Sequence, residues 1–521
     1  MQEFMKLHAG QVNGVLSGLD RVRLRGTLRW LASVPGMMNY LSLISVLLKD
    51  FKKYAQHCTH TVREATAALA LATGRPLEYL ASGATRKEDF AREIAVRDQV
   101  QSGLICVLTC VEPCYSFEVG PNRERKRLEL RYGPSKCRHD YFYVLDPELG
   151  LLHLRLQTWF PFTLQVCMNG REWLARQMTE AGLGFRQQDN CFVEVEDFTR
   201  AQALFDQQLR VNWNSLMNRL TRTYHPTHRE LFAEYPIPYY WSADESEWAT
   251  DVLFRSPEAL ASLFPCLTRH ALLDLKSADV MRFLGRRMPK HGGLNGNFQG
   301  EVVTDVKTRP EGTRVKHRLN RNSIKMYDKQ ATILRVETTI NDAHDLKVYR
   351  KAEGQPKSKL CWRPLRKGVA DLFRRAKLSQ AANERYLENL AATGSDQTLG
   401  DLTTRLCQPV EWQGRRVRAL SPLSPADTQL LQAVSRGEFA ISVFRNRDLR
   451  AILYGEAADV AAGRRQSGAV TRRIRMLRAH GLIVKIPKTQ RYQLTAHGQL
   501  AIAALLQAQK ASAAQLQKLA A

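Results

Sequence analysis

The sequence predicts an α+β protein of several domains: a helical N-terminal region, two largely antiparallel-sheet α+β blocks, a helical linker and a C-terminal winged helix-turn-helix. Three observations predict it. The chain has 521 residues, enough for three or four hydrophobic cores. Two separate stretches alternate apolar and polar residues, as half-buried strands do. The last hundred residues read as helix, helix, basic helix and basic hairpin. The expected domain limits are 1–95, 96–225, 226–355, 356–419 and 420–521.

The elements follow in order. Residues 1–95 read as mainly helical, with one helix ending at Gly74 and a charged one in RKEDFAREIAVRD. From about residue 100 six short β patterns follow, and then helices at 171–182 and 198–220. A second β-rich block runs from about Pro238 to Arg350 with a helical insertion at 257–288. A basic linker and further helices lead to the C-terminal segment.

The charge balance points to a polyanionic partner. The formal net charge is +26, with Lys and Arg spread over the whole length, which favours nucleic acid, DNA or RNA, over a membrane. No window of 18 apolar residues occurs, so no membrane span is expected. The N-terminus lacks a hydrophobic signal core, which predicts a cytoplasmic protein. In that compartment the ten cysteines are thiols or metal ligands and not a disulfide framework.

The C-terminal segment predicts a duplex-DNA reader. Helices are expected at Pro425–Arg436, Asn446–Tyr454 and Ser467–His480, with Ser467 capping the third and Gly481 ending it. A helix–turn–helix places its second helix in the major groove. The candidate DNA contacts on this helix and the following wing are Arg472, Arg473, Arg475, Arg478, Lys485, Lys488 and Arg491. The competing interpretation is a solvated, arginine-rich helix on a generic three-helix domain.

This segment resembles the winged helix of MarR-type regulators, through RMLRAHGLIVKI followed by RYQLTAHG. The resemblance covers under a fifth of the chain. MarR regulators are short dimers, so it implies DNA binding and makes a homodimer one assembly to test. The whole chain also resembles a widespread bacterial family that often carries the MarR label, a likeness that implies no activity.

Residues 301–342 are the best candidate for chemistry. They read as four strands with tight turns, and strand alternation puts cations, one tyrosine and two carboxylates on one face. Such a face suits a sugar–phosphate backbone, and a carboxylate within it suggests a metal or a paired arginine. An ordinary solvated face is the alternative. The residues concerned are Arg314, Lys316, Arg318, Lys325, Lys329 and Arg335, with Tyr327, Glu337 and Asp305.

The strand pair IKMYDK and LRVET resembles a pattern in rolling-circle replication initiators of filamentous phages and small plasmids. The matching positions are Tyr327, Asp328, Lys329, Leu334, Arg335 and Glu337. The resemblance implies a tyrosine nucleophile and a divalent cation, Mg or Mn. Strand alternation adds Asp305 on a nearby strand, so Glu337 and Asp305 are expected to hold the ion. Tyr386 is a second candidate tyrosine. The His-hydrophobic-His motif of many such enzymes is absent, since LLHLRLQ has only His153.

Three further patterns leave alternatives open. Cys110, Cys114, Cys137 and His139 have a spacing that fits a structural Zn site or buried strand cysteines. The acidic run at 244–251 is a surface loop or a source of a further metal ligand. The aromatic stretches 158–162 and 238–241 stack bases or pack in the core.

Two functions from different classes follow. The first is a metal-dependent DNA-processing enzyme linked to a mobile or replicating element. The second is a non-enzymatic transcriptional regulator or RNA-binding protein. A cluster of tyrosine, carboxylates and cations in the fold would favour the first, and a continuous basic groove without converging carboxylates the second.

Overall fold

The protein is mixed α+β, as predicted, and forms two compact units in a computed structural model: Met1–Gly394, the body, and Ser395–Ala521, the C-terminal unit. The structure describes residues 1–80, 86–286, 302–309, 312–352, 354–391, 399–436, 439, 444–487 and 489–510.

One large sheet organises the body. Its eleven strands in the described residues are hydrogen-bonded in the order β10-β11-β12-β13-β9-β1-β6-β5-β4-β3-β2. Neighbours are antiparallel except for β2 and β3. The strands are β1 Val12–Thr27, β2 Leu77–Tyr79, β3 Gly103–Asn122, β4 Arg127–Asp146, β5 Gly150–Gln157, β6 Leu164–Asn169, β9 Tyr240–Phe254, β10 Val302–Arg309, β11 Gly312–Leu319, β12 Asn322–Lys329 and β13 Ile333–Ile340. Small hairpins are formed by β7 Phe185–Gln188 with β8 Cys191–Val195, and by β14 Lys347–Arg350 with β15 Cys361–Pro364.

Helices cover the sheet. They are α1 Gln2–Leu7, α2 Val34–Leu43, α3 Phe51–Ala72, α4 Lys87–Arg97, α5 Gly170–Glu180, α6 Phe198–Phe205, α7 Trp213–Tyr224, α8 Thr227–Leu231, α9 Pro257–Leu273, α10 Ser277–Phe283 and α11 Leu372–Leu390. The single helix expected at 198–220 is two helices, α6 and α7, separated by a short non-α segment. No helix in the described parts of the chain is both long and apolar enough to cross a membrane.

The four strands predicted in 301–342 are confirmed as β10 to β13. The sheet nevertheless draws strands from all three predicted segments 1–95, 96–225 and 226–355. The central strand β1 lies in the segment predicted to be mainly helical. Its second half alternates buried Val22 and Leu24 with arginines, which is the period-2 pattern of a strand.

The two faces of β9 and β13 have different covers. On one face, α11 packs against the sheet, and Asn383 donates to the Trp248 carbonyl and accepts from Thr338. On the other face lie α5, α6 and the β7–β8 hairpin. At the start of α5, a Cβ on Gly170 would meet the Leu19 carbonyl oxygen at 1.9 Å, so only glycine lets this helix approach so closely.

The C-terminal unit is built from helices and two hairpins around its own core. The elements are α12 Leu399–Leu406, β16 Val410–Trp412, β17 Arg415–Val417, α13 Pro425–Val434, α14 Asn446–Tyr454, α15 Val460–Ala479, β18 Ile483–Lys485, β19 Tyr492–Leu494 and α16 Ala496–Lys510. The expected start of the third helix at Ser467 is wrong. Asp459 caps it, accepting from the Ala462 amide at 2.6 Å, and Ser467 lies within the helix. Gly481 ends the helix with φ of +71°, as expected.

Candidate functional site

Three buried carboxylates converge on the covered face of the large sheet. Asp20, Glu247 and Glu337 offer one oxygen each, all within 4.8 Å of one another. We call these three residues the carboxylate cluster. In the part of the chain that the structure describes, it is the one group of three or more metal-ligating side chains that could hold an ion.

Three strands position the cluster. Glu337 on β13 lies opposite Ala249 of β9, and Glu247 lies two residues before Ala249 on the same strand. The β1–β9 register steps from Leu19 opposite Trp248 to Arg21 opposite Glu247, so Asp20 is the extra residue of a β-bulge. Bulges redirect side chains, and this one adds a carboxylate from the middle of the sheet.

Lys325 on β12 neutralises part of this charge. Its ammonium Nζ lies 3.0 Å from Glu247 Oε1 and also bonds Glu337 Oε1. Lys325 is 8% exposed, so the contacts form away from bulk water. The prediction that Lys325 contributes to an open cationic face is therefore wrong, because its charge is enclosed between two carboxylates.

Arg335 is also enclosed. It is fully buried, binds Asp251 through Nε and Nη2 at 2.6 and 2.8 Å, and reaches Asp20 Oδ1 at 3.1 Å. Arg171, at the start of α5, adds a contact of 3.0 Å to Asp251. The expectation of a phosphate contact from Arg335 is thus corrected, because each of its three nitrogens already donates to a protein acceptor.

The two glutamates of the carboxylate cluster have pKa values shifted in opposite directions. Burial raises the pKa of Glu337 to about 7; Lys325 opposes this shift, whereas the Glu247 and Asp20 carboxylates add to it. Burial alone would also raise the pKa of Glu247, but Lys325 and Arg21 outweigh it, so that pKa lies below its ordinary value. A carboxyl group with a pKa near 7 can exchange a proton at neutral pH or bind a cation in its place.

Tyr327 lies beside the cluster on the same face. It is opposite Arg335 on β13, one position along the face from the Lys325–Glu337 pair. Its side chain is half-buried, and burial together with Glu337 raises its pKa above the ordinary value. Tyr386 is excluded as its substitute. It lies on α11, fully buried against the opposite face of the sheet, where its hydroxyl and His317 Nε2 are 3.0 Å apart in a hydrogen bond.

Asp305 is not a member of the cluster. It lies on β10, three strands from Glu337 in the order of the sheet, and Arg314 Nη2 binds its Oδ1 at 2.9 Å. Strands are about 4.8 Å apart, so three steps separate the two carboxyl groups by roughly 14 Å. The predicted shared ion between Glu337 and Asp305 is therefore wrong, and Asp20 and Glu247 are the nearby carboxylates.

The remaining predicted cations of this sheet have mixed exposure. Arg314 is 8% exposed, whereas Arg318 is exposed and Lys316 half-buried. Burial and the neighbouring Lys325 and Arg314 charges lower the pKa of Lys316. Lys329 donates to Asn190 Oδ1 at 2.9 Å on the β7–β8 hairpin. The sequence assigned these residues to the correct face of each strand but missed the cover above part of it.

A row of three arginines, absent from the residues predicted from the sequence, extends from the cluster along β1. Arg21, Arg23 and Arg25, the arginine row, have 51%, 45% and 44% of their side chains exposed. Glu245 contacts the first two and Asp244 the third. The acidic run 244–251 is thus part of strand β9 and not a loop, and it supplies Glu247 to the cluster.

The four predicted zinc ligands do not converge. They share a face of the β3–β4 pair, but Cys110 lies opposite His139, and Cys114 lies four residues, roughly 13 Å, further along β3. Cys114 and Cys137 are close, with 3.4 Å between their Sγ atoms, whereas Cys110 Sγ bonds Glu112. Tetrahedral zinc needs all four donors about 2.0–2.3 Å from one point. The geometry instead agrees with the alternative of strand cysteines.

The predicted cations of the C-terminal unit split into two groups. Arg472 and Arg475 are exposed on α15, whereas Arg473 lies over the Tyr454 ring and Arg478 over the Trp412 ring. Lys485 is half-buried and Arg491 exposed on the β18–β19 hairpin; Lys488 lies outside the described residues. Exposed Arg464 and Arg465, in the first part of α15, were not predicted, because the predicted helix began at Ser467.

The aromatic stretches mostly pack in the core, as one of the two interpretations held. Phe160, Phe162 and Trp241 are almost fully buried. Tyr240 is half-buried instead, and the Arg29 guanidinium carbon lies 3.3 Å from its ring centroid.

Comparison with known proteins finds no matching family model, no matching curated protein and no matching solved structure.

Proposed function

We propose that this chain is a nucleic-acid-binding protein, linked to a mobile or replicating element, whose body cuts or transfers a DNA strand with a divalent cation. The observation that carries the proposal is the convergence of Asp20, Glu247 and Glu337 beside Tyr327. Carboxylates from three different strands meet at one point, although like charges repel strongly when buried. A site that must hold a cation gives that arrangement a purpose.

The donor set fits Mg or Mn. Both cations prefer oxygen ligands at about 2.0–2.2 Å, and carboxylate oxygens within 4.8 Å of one another can reach a common ion after small rotations. Lys325 Nζ already occupies a cation position between Glu247 and Glu337. A divalent ion would compete with this ammonium for the same oxygens, and the displaced Lys325 would then be available to a phosphate.

Tyr327 is the proposed nucleophile. Its Oη would form a bond to phosphorus while the bond from phosphorus to one sugar oxygen breaks, leaving a tyrosine-linked end and a free hydroxyl end. The tyrosine proton passes to a base and the departing sugar oxygen takes up a proton. A high pKa makes the neutral phenol a weak nucleophile, and a neighbouring cation lowers that pKa.

The arginine row supplies the approach to this site. Its three guanidinium groups lie side by side on the face that carries Glu247, and each keeps close to half of its side chain exposed. Arginines in such a row suit the phosphates of one strand.

The C-terminal unit is proposed to be a winged helix that finds the site on duplex DNA. Supporting this, α13, α14 and α15 precede the β18–β19 hairpin, and Phe444 forms an isolated β-bridge with Tyr492 of that hairpin. Four exposed arginines lie on α15: Arg464, Arg465, Arg472 and Arg475. A recognition helix with such a surface would contact base edges in the major groove and the neighbouring phosphates.

A cation-binding measurement tests the first step. Manganese binding to the whole protein, followed by electron paramagnetic resonance, should show a site that Glu337→Gln and Asp20→Asn each weaken at least ten-fold. The matched control is Asp305→Asn, which removes a carboxylate from the same sheet outside the cluster and should leave binding unchanged. Equal binding by all four proteins would contradict the proposed metal site.

A cleavage assay tests the second step. Supercoiled and single-stranded DNA are incubated with magnesium or manganese and examined for nicks and protein-linked ends. Wild type should cleave, Tyr327→Phe should not, and Tyr349→Phe, which alters an exposed tyrosine on β14, should cleave normally. If no substrate is cut, the enzymatic proposal fails.

The second candidate is a non-enzymatic DNA- or RNA-binding regulator. The observation that favours it is that every carboxylate of the cluster already has an ion-pair partner, which would suit a purely structural network. Nucleic acid that co-purifies with the protein and is neither cut nor dependent on Glu337 for binding would support it.

A further inference from the structure

A cavity of about 780 Å³ opens where β1 ends and β9 begins. Aromatic side chains from separate parts of the body line it: Trp30, Trp213, Tyr240 and Phe373. Trp30 is 41% exposed, and the other three are half-buried, so rings are accessible from solvent. The volume is typical of a small-molecule site, and the exposed rings favour a flat ligand.

The charged residues that line the cavity favour an anionic ligand. Arg29 and Arg366 contribute to the wall, whereas no Asp or Glu does. Asp371 holds Arg366 through Oδ1 at 2.8 Å, but within the described residues no carboxylate pairs with Arg29. Arg29 instead stacks on Tyr240, which leaves the edge of its guanidinium for a ligand such as phosphate.

Side-chain amides complete the lining. Asn218 Oδ1 accepts from Trp241 Nε1 at 3.3 Å, and Asn212 Oδ1 accepts from the Ser215 amide at 3.1 Å. In both residues the NH₂ group has no partner among the described residues. Together with Asn214 they give the cavity donors and acceptors of the kind that recognise base edges.

Tyr240 is the part of the cavity wall that shares a sheet face with the carboxylate cluster. Tyr240 and Glu247 are seven residues apart on β9, roughly 23 Å. The arginine row on β1 fills the interval on the same face, since Arg25 lies opposite Ser242 and Thr27 opposite Tyr240. A strand that runs along these arginines from the cluster would reach the stacked Arg29–Tyr240 pair.

We propose that this cavity binds the base and phosphate of one nucleotide in an unpaired strand. The inference rests on the proposed function, because the strand is the one that reaches the cluster. Trp30 and Tyr240 provide ring faces for the base, Arg29 the contact to a phosphate, and the asparagine amides the edge contacts. Base stacking tolerates any sequence, so the amides would set what preference there is.

The test measures binding of a fluorescent single-stranded oligonucleotide to the whole protein by anisotropy, with EDTA to prevent cleavage. Trp30→Ala and Arg29→Gln should each weaken binding about five-fold or more, the usual effect of removing one stacked or charged contact. Trp362→Ala is the matched control, because Trp362 is 56% exposed on β15, does not line the cavity and should not matter. Duplex binding and thermal unfolding of the variants should stay close to wild type.

Two results would overturn the inference. One is unchanged single-strand binding by both cavity variants. The other is that they abolish binding of free nucleoside monophosphates, followed by calorimetry, without affecting the oligonucleotide, since the cavity would then serve a free nucleotide. A weakened oligonucleotide complex in a protein that never cleaves would count against the proposed function alone. Intact cleavage with normal binding by both variants would count against this inference alone.

Discussion

Replacing Glu337 with glutamine should make the protein more stable, relative to wild type, at alkaline pH than at acid pH. Burial holds the pKa of Glu337 near 7, against 4.5 for a free carboxyl group. Between these values the folded protein keeps a proton that the unfolded chain has lost, so the free energy of unfolding falls as pH rises through this window. Above pH 7 the wild-type protein has lost about 3 kcal/mol of its free energy of unfolding in this way. Glutamine cannot ionise, so the variant does not undergo this loss.

The assay is urea unfolding of wild type and Glu337→Gln at pH 5 and pH 8. The variant should gain roughly 2–3 kcal/mol relative to wild type between the two pH values, because the other titrating groups cancel in the difference. Adding manganese at pH 8 should offset most of this relative gain, since a ligand at a hundred times its Kd stabilises wild type by about 2.7 kcal/mol. A variant that is less stable than wild type by the same amount at both pH values would refute the reasoning and make Glu337 a simple ion-pair anchor for Lys325.

Three further results are expected. Residues 395–521 should unfold cooperatively alone and bind duplex DNA, whereas a fragment starting at 420 loses the buried leucines of α12 and should melt at lower temperature by circular dichroism. The double variant Arg472→Ala, Arg475→Ala should lose about 1–3 kcal/mol of duplex-binding free energy per lost base contact, and its binding should depend less on salt. An unchanged binding isotherm would contradict the assignment of α15 as the recognition helix. Metal analysis of Cys110→Ser should equal that of wild type, and one zinc lost on substitution would restore the four-ligand site.

The part of the fold that could be predicted rests on local signals. Strands β10 to β13 followed from alternation and from turn residues, and Asn320, Gln330 and Ala331 do adopt positive φ in these turns. The same alternation placed Tyr327 and Glu337 on one face. These features depend on neighbours within a few residues, which the sequence displays directly.

The features that the sequence did not predict depend on tertiary structure. The bulge that brings Asp20 to the cluster arises from the pairing of β1 with β9, more than two hundred residues away. Burial of Arg335 depends on α5 and on Asn190, whose carbonyl accepts from Nη2 at 2.7 Å. No local sequence pattern shows that a helix or hairpin will pack on a strand face, so this cation-rich face was predicted to be exposed to solvent.

The N-terminal strand shows a different failure. Arg21, Arg23 and Arg25 alternate with Val22 and Leu24, a period-2 signal present in the sequence. The strongly apolar and helical segments around it dominated the interpretation of residues 1–95. The same alternation places the three arginines on one face of β1, so the arginine row was predictable from the sequence.

The most direct test of the central claim identifies the residue that becomes linked to DNA. Whole protein is incubated with single-stranded DNA and manganese, digested with nuclease and protease, and the nucleotide-bearing peptide is sequenced by mass spectrometry. We predict a phosphotyrosine link at Tyr327 that is absent without manganese and absent in Glu337→Gln. A link at another tyrosine, or equal yields from wild type and Glu337→Gln, would contradict the claim that the carboxylate cluster and Tyr327 form one active site.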